Sequence, residues 1–531
     1  MKKSLVIHPL LFAAFPVLFL FSHNIYAWSV SEILGPLVAT TSLALVSWIV
    51  LSLILGDNRK AGFIVSLFCL LFFSYGICYV EIRAFMGGVL GLSTIGTHGH
   101  VLLLWAVLFG LGTYSFIKTR RRLHNLTNLA HVMAGCLVVI SLINIGAYQL
   151  KAGSVPKYDG RTGTIEANPV DLEGTATLPD IYYIILDAYA RADILEDIYK
   201  YDNTEFLDDL ASKGFYVADR SRSNYCQTFL SFASSLNLTY LDDLVDQIGI
   251  ENRDQKPVLD MIRNSTVVGF LKDHGYRVVV FSSGSTRTEI RNADSYLAAR
   301  WSPDEFQAVL IGMTPIPFVT NQLGFYDEYG FHRERISYAF DHLADISELE
   351  GPIFVFAHII APHPPFVFGK DGEEVNPEYP FVFFDGGDLI RTGRLTREGY
   401  VEGYREQLTY VNRRIHETVD GILSRAVSGP IIILQADHGP ASMLDVEDPD
   451  NTYFKERLGI LNAYYLPDDG DIHLYDEITP VNTFRVIFNH YFGTDYELLE
   501  DESYFSTWSR PYAFINVTDE MNANVDTEDL E

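Results

Sequence analysis

Residues 429–440 read GPIIILQADHGP, an aliphatic run that ends abruptly in Asp437, His438 and Gly439. A short, continuous apolar run of this kind is typical of a strand buried on both faces of a sheet. Similar runs occur at four other places, 181–186, 276–283, 351–359 and 510–517. Amphipathic patterns lie between them, for example at 403–426. This alternation predicts an α/β/α sandwich with a mostly parallel sheet.

Charge and hydrophobicity are segregated along the 531-residue chain, whose formal net charge is −29. Residues 1–150 carry nine basic and three acidic residues, whereas the remainder carries 30 basic and 65 acidic residues. The first part is therefore apolar membrane material, and the second is an acidic soluble domain. An acidic surface lacks the lysines and arginines that replace counterions on a phosphate backbone, so we expect no nucleic-acid partner.

Five apolar stretches in the first part are long enough to cross a bilayer, at about 20 residues each. They lie near 5–23, 33–56, 61–80, 98–117 and 129–149. Basic residues at 2–3, 59–60 and 118–122 fall on alternate ends of successive stretches, so the positive-inside rule places the N-terminus in the cytoplasm. The alternative, that some stretches are buried core helices, would make this alternation of charge an accident.

These features predict an all-α transmembrane domain of five helices at 1–150 and an extracytoplasmic domain at 179–531. The stretch between them, 151–178, is polar, rich in Gly, Pro and Thr, and without apolar periodicity, which indicates a juxtamembrane linker. We therefore expect a multi-pass protein of the inner, cytoplasmic membrane, with its larger domain on the periplasmic or outer side.

Charged side chains follow two of the predicted strands. Asp187 ends the first strand of the soluble part, and Asp437 and His438 end a later one. Ligands of open α/β sheets bind beyond the carboxyl ends of the strands, and a metal cation would offset the cost of burying these charges. Each signal alone has a plain alternative, because an acid at a strand end often starts a turn. Gly439 would let the backbone turn away beside the site.

Two further segments carry polar groups of catalytic type. Thr228 opens an amphipathic stretch, where a hydroxyl is either a simple N-cap or a nucleophile beside the anion-binding start of a helix. His358 and His363 follow an apolar strand in a loop with three prolines, which favours a site that binds an anion or protonates a leaving group. Arg457 either contacts a substrate phosphate or pairs with a buried acid, and we favour the second.

Four motifs together carry a family resemblance: YYIILDAYARADIL, NYCQTFLSFASSLN, APHPPF and QADHG. In this order they resemble the alkaline phosphatase/sulfatase superfamily, and specifically its membrane-anchored branch of lipoteichoic-acid synthases and phosphoethanolamine transferases. The resemblance covers roughly 180–490. It implies an alkaline-phosphatase-like fold for the soluble domain and a sulfatase-like enzyme of the cell envelope.

Residue by residue, the resemblance implies one divalent metal ion, Zn or Mn, held by Asp187, Thr228, Asp437 and His438. Thr228 would attack a phospholipid donor and hold a phosphoethanolamine or phosphoglycerol head group covalently. A glycan or lipid acceptor would then remove it. The resemblance also implies that His363, with His358 as its neighbour, binds the substrate phosphate or assists the leaving group.

Two departures from the family narrow this reading. Sulfatases with an oxidised cysteine carry Cys-x-Pro-x-Arg, whereas Cys226 here is followed by Gln-Thr-Phe-Leu, so sulfate ester hydrolysis is not expected. The Asp-x-x-x-His pattern of a second metal occurs in the soluble part only at Asp469 and His473, outside the four motifs. The motifs themselves supply the ligands of one metal, which favours transfer of a diester. Two alternatives stay open: a metal-dependent phosphodiesterase or other hydrolase that uses water, and a membrane scaffold without catalysis.

Overall fold

The computed structural model describes eleven stretches of the chain: 6–26, 28–86, 98–120, 123–152, 178–290, 293–299, 303–322, 327–379, 381–383, 385–426 and 428–522. The chain forms two compact units. The first contains residues 1–155 together with 303–328, and the second contains 156–302 and 329–531. Most of the predicted linker, 153–177, lies outside the described residues.

The first unit contains five apolar helices at the five predicted places: α1 (His8–His23), α2 (Val30–Leu55), α3 (Asn58–Ala84), α4 (His98–Lys118) and α5 (His124–Ala152). Helices α2 to α5 are long and apolar enough to cross a membrane, and α1 is a shorter apolar helix of 16 residues. Their outward faces are apolar, as expected of side chains that meet lipid. The chain is a membrane protein.

Two helices from the middle of the sequence, α12 (Glu305–Gly312) and α13 (Ile316–Gln322), belong to the first unit. Phe306 is fully buried and meets Trp28 edge to face, with ring centroids 5.0 Å apart. The N–H of Gly76 in α3 donates to the carbonyl of Met313 at 2.8 Å. The sequence patterns did not indicate that residues 303–328 leave the soluble part and pack among the apolar helices.

The second unit is built on a seven-stranded sheet in the order β2-β7-β6-β1-β5-β3-β4. Its strands are β1 (Ile181–Leu186), β2 (Tyr216–Val217), β3 (Arg277–Phe281), β4 (Ser295–Leu297), β5 (Ile353–Ile359), β6 (Ile431–Gln435) and β7 (Asn462–Tyr465). Strands β4, β3, β5, β1 and β6 are parallel neighbours, whereas β7 pairs antiparallel with β6 and β2. The mostly parallel sheet is as predicted.

Helices cover both faces of the sheet, which explains why β1 is apolar throughout. Tyr182, Ile184 and Leu186 pack in the core with residues of the long helix α16 (Arg397–Arg425). The alternate residues of β1 pack on the other face with α8 (Thr228–Ser235) and α18 (Pro480–Phe492). The helices of this unit and its border are α6 (Ala192–Asp197), α7 (Thr204–Ser212), α8 (Thr228–Ser235), α9 (Asp242–Ile248), α10 (Lys256–Arg263), α11 (Thr266–Asp273), α14 (Glu328–His342), α15 (Gly386–Arg391), α16 (Arg397–Arg425), α17 (Phe454–Leu458), α18 (Pro480–Phe492) and α19 (Thr518–Asn522). The α/β/α sandwich is therefore confirmed.

One predicted strand does not join this sheet. In the run at 510–517 only β9 (Ile515–Asn516) is extended, and it pairs with β8 (Tyr504–Phe505) in a separate two-stranded sheet. Both residues of β9 are exposed, so this run is not a buried core strand as the pattern suggested. The neighbour of β6 on the side away from β1 is β7, not a strand from 510–517.

Candidate active site

Three adjacent strands deliver polar side chains to one edge of the sheet. Strands β6, β1 and β5 are parallel neighbours, so their carboxyl ends lie together. Asp187 follows β1, and its N–H donates to the Ile359 carbonyl at the end of β5 at 3.0 Å. Asp437 follows β6 and accepts from the Ala188 N–H at 3.3 Å. Ala188 has a left-handed backbone, φ 63°, which turns the chain beside Asp187 at a cost in strain.

Asp187, His358 and Asp437 form a buried group whose ligand atoms lie within 4.8 Å of one another. Oδ1 of Asp187 and Oδ2 of Asp437 are buried and have no hydrogen-bond partner among the described residues. A buried carboxylate oxygen without a partner is costly unless a cation binds it. This cluster can therefore hold a metal ion.

The imidazole of His438 presents a lone pair to this cluster. Its Nδ1 donates to the Gly439 carbonyl at 2.9 Å, so the proton is on Nδ1. Its Nε2 lies 3.3 Å from Oδ2 of Asp437 and 3.7 Å from Oδ1 of Asp187. Burial, followed by the charge of Arg457, lowers the pKa of His438 and keeps the ring neutral. A neutral imidazole with a free Nε2 is the form that ligates metals.

The hydroxyl of Thr228 completes the group. Its Oγ1 lies 3.0 Å from Nε2 of His438, at the first residue of α8. Gln227 is the extended residue before the helix, so Thr228 is not the N-cap that the plain alternative proposed. Thr228 is partly exposed, whereas Asp187, Asp437 and His438 are buried. The structure thus brings the four predicted ligands together and leaves only the hydroxyl open to an approaching substrate.

His363 stands at the side of this group. Its N–H donates to the Asp187 carbonyl at 3.0 Å, and its ring centroid is 6.2 Å from that of His438. Nδ1 donates to the Pro364 carbonyl, and Nε2 lies 3.3 Å from Oδ1 of Asp385. Burial opposes its charge, but Asp187 and Asp385 outweigh this effect and raise the pKa of His363 to about 9. The ring of His363 is therefore cationic and lies beside the group of candidate metal ligands.

His358 is placed differently from His363. Its Nδ1 lies 2.9 Å from the Thr288 hydroxyl, and its Nε2 lies 3.1 Å from Oδ2 of Asp187. Because a carboxylate only accepts, Nε2 carries the proton. Burial alone would raise the pKa of Asp187, but the charge of His363 and the hydrogen bond from His358 hold it well below its usual range. The geometry thus has His358 orient Asp187, with both its ring nitrogens already in contact with protein.

Arg457 connects the segments of the site, and its pairing with a buried acid is confirmed. Its guanidinium binds Asp385 with two nitrogens, at 2.9 and 3.1 Å. It also donates to the carbonyl of Cys226 at 2.8 Å and to that of Gly439 at 3.2 Å. Burial disfavours the charge of Asp385, but Arg457 and His363 hold its pKa well below the usual range. Arg457 therefore fixes the chain beside Thr228 and beside His438.

Asp385 was missed by the sequence reasoning. It directly follows a four-residue apolar run, FVFF at 381–384, but the described residues 381–383 do not form a strand of the sheet. Its importance comes from Arg457 and His363, which are distant in the sequence. A pair of glycines follows it. A Cβ on Gly387 would lie 2.0 Å from the Leu444 carbonyl oxygen, so this turn packs against the segment after His438.

His332 in α14 was also missed. It is fully buried, and neither ring nitrogen has a hydrogen-bond partner in the described part of the chain. Burial, followed by the charges of Arg335 and His363, holds the pKa of His332 well below its usual range. The site therefore has a further neutral histidine within electrostatic reach, which a lone histidine inside a helical pattern does not reveal.

The family model described as Sulfatase matches residues 179–485, which is more than half of the chain. The chain belongs to the sulfatase family. No curated protein matches it. The matched residues run from the start of β1 into α18 and include every side chain of the site described above. The family resemblance inferred from the four motifs is confirmed, and the chain is an enzyme of this superfamily.

Solved structures similar to this sulfatase-family chain share little sequence with it. The C-terminal periplasmic domain of EcEptC from Escherichia coli, in complex with Zn, is 10% identical with a TM-score of 0.43, and the match covers 65% of this chain and 94% of that one. Lipooligosaccharide phosphoethanolamine transferase A from Neisseria meningitidis, an integral membrane protein, is 13% identical with a TM-score of 0.39, covering 91% and 94%. The 2-O GAG sulfatase BT1596 is 11% identical with a TM-score of 0.39, covering 63% and 74%.

In this sulfatase-family chain Cys226 lies two residues before Thr228 but faces away from solvent. It is 3% exposed, and its Sγ lies 3.5 Å from the Ser506 carbonyl. Burial raises the pKa of the Cys226 thiol, so the reactive thiolate is disfavoured. Gly439 was expected to let the chain turn. Its role is instead a close approach, because a Cβ there would lie 2.0 Å from the Glu456 carbonyl oxygen.

Proposed function

We propose that this chain is a metal-dependent transferase that moves a phosphoethanolamine or phosphoglycerol head group from a phospholipid to a glycan or lipid acceptor. The observation that carries the proposal is the Thr228 hydroxyl, 3.0 Å from the His438 nitrogen that also contacts both buried carboxylates. A hydroxyl among metal-type ligands at the start of a helix is suited to attack phosphorus, because the metal activates it and the helix start favours the phosphate.

The residues present fit a single divalent cation. The partnerless oxygens of Asp187 and Asp437 face the unprotonated Nε2 of His438, and Thr228 supplies the fourth group. Bound there, the ion would lower the pKa of the Thr228 hydroxyl and offset the charge of the two carboxylates. Oxygen and nitrogen ligands suit both Zn and Mn. His358, whose Nε2 donates to Asp187, orients that ligand from behind.

The reaction proceeds in two displacements on one phosphorus atom. In the first, the Thr228 oxygen bonds to phosphorus and the bond to the diacylglycerol oxygen breaks; the hydroxyl proton leaves with diacylglycerol, which departs as an alcohol. In the second, an acceptor hydroxyl bonds to phosphorus, the bond to Thr228 breaks, and the acceptor's proton returns to the Thr228 oxygen. The positive charge of His363 would attract the phosphate oxygens in both steps, although both of its ring nitrogens already contact protein acceptors.

The proposal includes a place in the cell. Residues 1–150 would form the membrane domain with its N-terminus in the cytoplasm, 151–178 the linker, and 179–531 the extracytoplasmic catalytic domain, except that 303–328 return to the membrane unit. The inner membrane supplies the phospholipid donor to the outward-facing site. The acidic residues after 150 outnumber the basic ones, so this part of the chain would repel the phosphate backbone of a nucleic acid.

Incubation of the full-length protein with a head-group-labelled phospholipid, with and without a glycan acceptor, tests the proposal. We expect the label on the acceptor and a head-group adduct on the peptide that carries Thr228, seen by mass spectrometry. Release of the label to water alone would identify a phosphodiesterase instead. An unmodified Thr228 peptide under all conditions, with no turnover, would support the scaffold alternative.

Thr228→Ala removes the nucleophile and is expected to lower turnover by about 10⁴-fold or more, because the covalent route is lost. Thr228→Ser keeps a hydroxyl at the same position and should keep measurable activity and the adduct. Thermal unfolding of both variants should match the wild type, since the Thr228 side chain is partly exposed. Full turnover by Thr228→Ala would contradict the assignment.

A further inference from the structure

The membrane unit contains a cavity of about 590 Å³ between α2, α3, α4 and the α12–α13 segment. On α2 its lining extends from Ala39 to Leu51, which corresponds to about 18 Å along the helix axis. On α3 the lining includes buried Val65 and Cys69, and on the central segment it includes Leu310. The cavity is therefore long as well as large.

The lining offers hydrocarbon almost throughout. The Thr40 hydroxyl donates to the Leu37 carbonyl, and the Thr314 hydroxyl donates to the Ile311 carbonyl. Both threonine hydroxyls therefore already donate to backbone carbonyls. The remaining lining is aliphatic and aromatic except for Ser47 and Cys69. Water in such a space would lack the two to four partners that it needs, so the cavity suits an apolar occupant.

The α12–α13 segment closes one end of this space. It packs where α2 and α4 begin and α3 ends: Phe306 meets Trp28, Phe318 stacks on His98 at 4.5 Å, and Met313 accepts from Gly76. Leu310, Ile311, Thr314 and Ile316 from this segment line the cavity. The space is open on one side, because the lining residues Leu43 and Phe68 are 66% and 45% exposed. An occupant would be bordered by three membrane helices and by a segment whose sequence neighbours belong to the second unit.

We propose that this cavity binds one acyl chain of a membrane phospholipid. An empty space among packed membrane helices forfeits the dispersion contacts that hold such helices together, and the surrounding fluid is itself acyl chains. The length of about 18 Å slightly exceeds one leaflet, or half of a hydrocarbon core of about 30 Å, so the space fits a single chain rather than a span of both leaflets. The site does not depend on the transfer reaction proposed above.

Photo-crosslinking of the full-length protein tests this site. The protein is placed in vesicles of phosphatidylethanolamine and phosphatidylglycerol that contain a small fraction of phosphatidylethanolamine with a diazirine midway along one acyl chain. We expect adducts on Val65 or Cys69 and on 310–316, mapped by mass spectrometry. Adducts confined to side chains on the outer surface of the bundle, such as Leu53, would overturn the proposal.

Ser47→Phe places a ring in the cavity and displaces several methylenes, so we expect about a tenfold loss of adducts at those positions. The matched control is Val46→Phe, which adds the same ring on the same helix at a side chain that is 57% exposed and outside the lining. If Ser47→Phe melts early, Ala39→Phe fills the other end of the lining. A well-folded cavity variant that leaves the adducts unchanged would contradict the site, whatever the outcome of the transfer assay.

Discussion

Arg457 is a fully buried arginine, and its removal would leave the buried carboxylate of Asp385 without its main cationic partner. Arg457→Met deletes the cation that binds Asp385 and leaves that carboxylate with His363 as its sole charged partner among the described residues. We expect the free energy of unfolding to fall by about 3–5 kcal/mol, the usual result of removing one member of a buried pair. Thermal or denaturant unfolding of the full-length protein in detergent measures the change.

The matched control removes both charges. Arg457→Met/Asp385→Leu leaves no unpaired carboxylate, so it should recover a large part of the lost stability. It should not recover activity, because His363 loses the carboxylate beside its Nε2. A double variant as unstable as Arg457→Met would show that the guanidinium bonds to Cys226 and Gly439, rather than the ion pair, hold this region.

Metal removal is the second test at the scale of residues. Chelation should abolish turnover, and Zn or Mn at about one ion per chain should restore it. A ligand present at 100 times its Kd stabilises the fold by about 2.7 kcal/mol, so metal should raise the melting temperature. Asp437→Asn should lose this shift, whereas the surface variant Asp273→Asn should keep it. A shift that survives in Asp437→Asn would place the metal elsewhere.

Some residues of the site could be predicted from the sequence and others could not. Asp187 and Asp437 could be predicted because each ends an apolar strand, and Thr228 because it begins an apolar helix pattern. Asp385 also follows an apolar run, but the described residues of that run are not a strand, and its role depends on Arg457, 72 positions away. The sequence also could not separate the two histidines of the loop, because the difference between His358 and His363 is a matter of which carboxylate each ring meets.

Between elements, the turn after β6 closely approaches the segment at 456–459. A Cβ on Gly439 would lie 2.0 Å from the Glu456 carbonyl oxygen and 3.0 Å from that of Gly459. Gly439→Ala should therefore push these segments apart, lower the melting temperature and weaken metal binding by displacing His438. Metal titration and thermal unfolding measure the two effects.

Gly269→Ala is the control for this change. Gly269 lies in α11 with open space where a Cβ would stand, so alanine there should stabilise the helix by up to about 1 kcal/mol. Equal behaviour of the two variants would mean that the contact at Gly439 is not what holds His438 in place.

The strands were predictable to different degrees. The central strands β1, β5 and β6 are apolar on both faces because helices cover both sides of the sheet. A continuous apolar run has no strand periodicity, so its short length is the main feature that distinguishes it from a buried helix. The edge strands β2 and β4 are two and three residues long and only partly buried, so they leave no periodicity to detect. In the run at 510–517 the buried side chains include Tyr512 and Val517, which lie outside β9, and neither belongs to a strand of the main sheet.

For the whole molecule, the orientation in the membrane is the prediction to test. In a variant without native cysteines, Tyr26→Cys, between α1 and α2, should react with a membrane-impermeant maleimide in intact cells. Asn58→Cys, at the first residue of α3 beside the α2–α3 turn, should react only after permeabilisation, because the positive-inside rule puts that turn in the cytoplasm. Both side chains are exposed, so the comparison is direct. The reverse pattern would overturn the topology and with it the outward-facing site.

Because residues 303–328 belong to the membrane unit, the catalytic part is attached to that unit through this segment as well as through the linker. A protease that cut once within 153–177 would sever the sequence between the two units. The C-terminal fragment would still contain α12 and α13, whose Phe306 and Leu310 are buried against α1. Release of the catalytic part from the membrane would therefore require further cleavage on either side of α12–α13. We expect the enzyme to remain bound to the membrane after a single cleavage within 153–177.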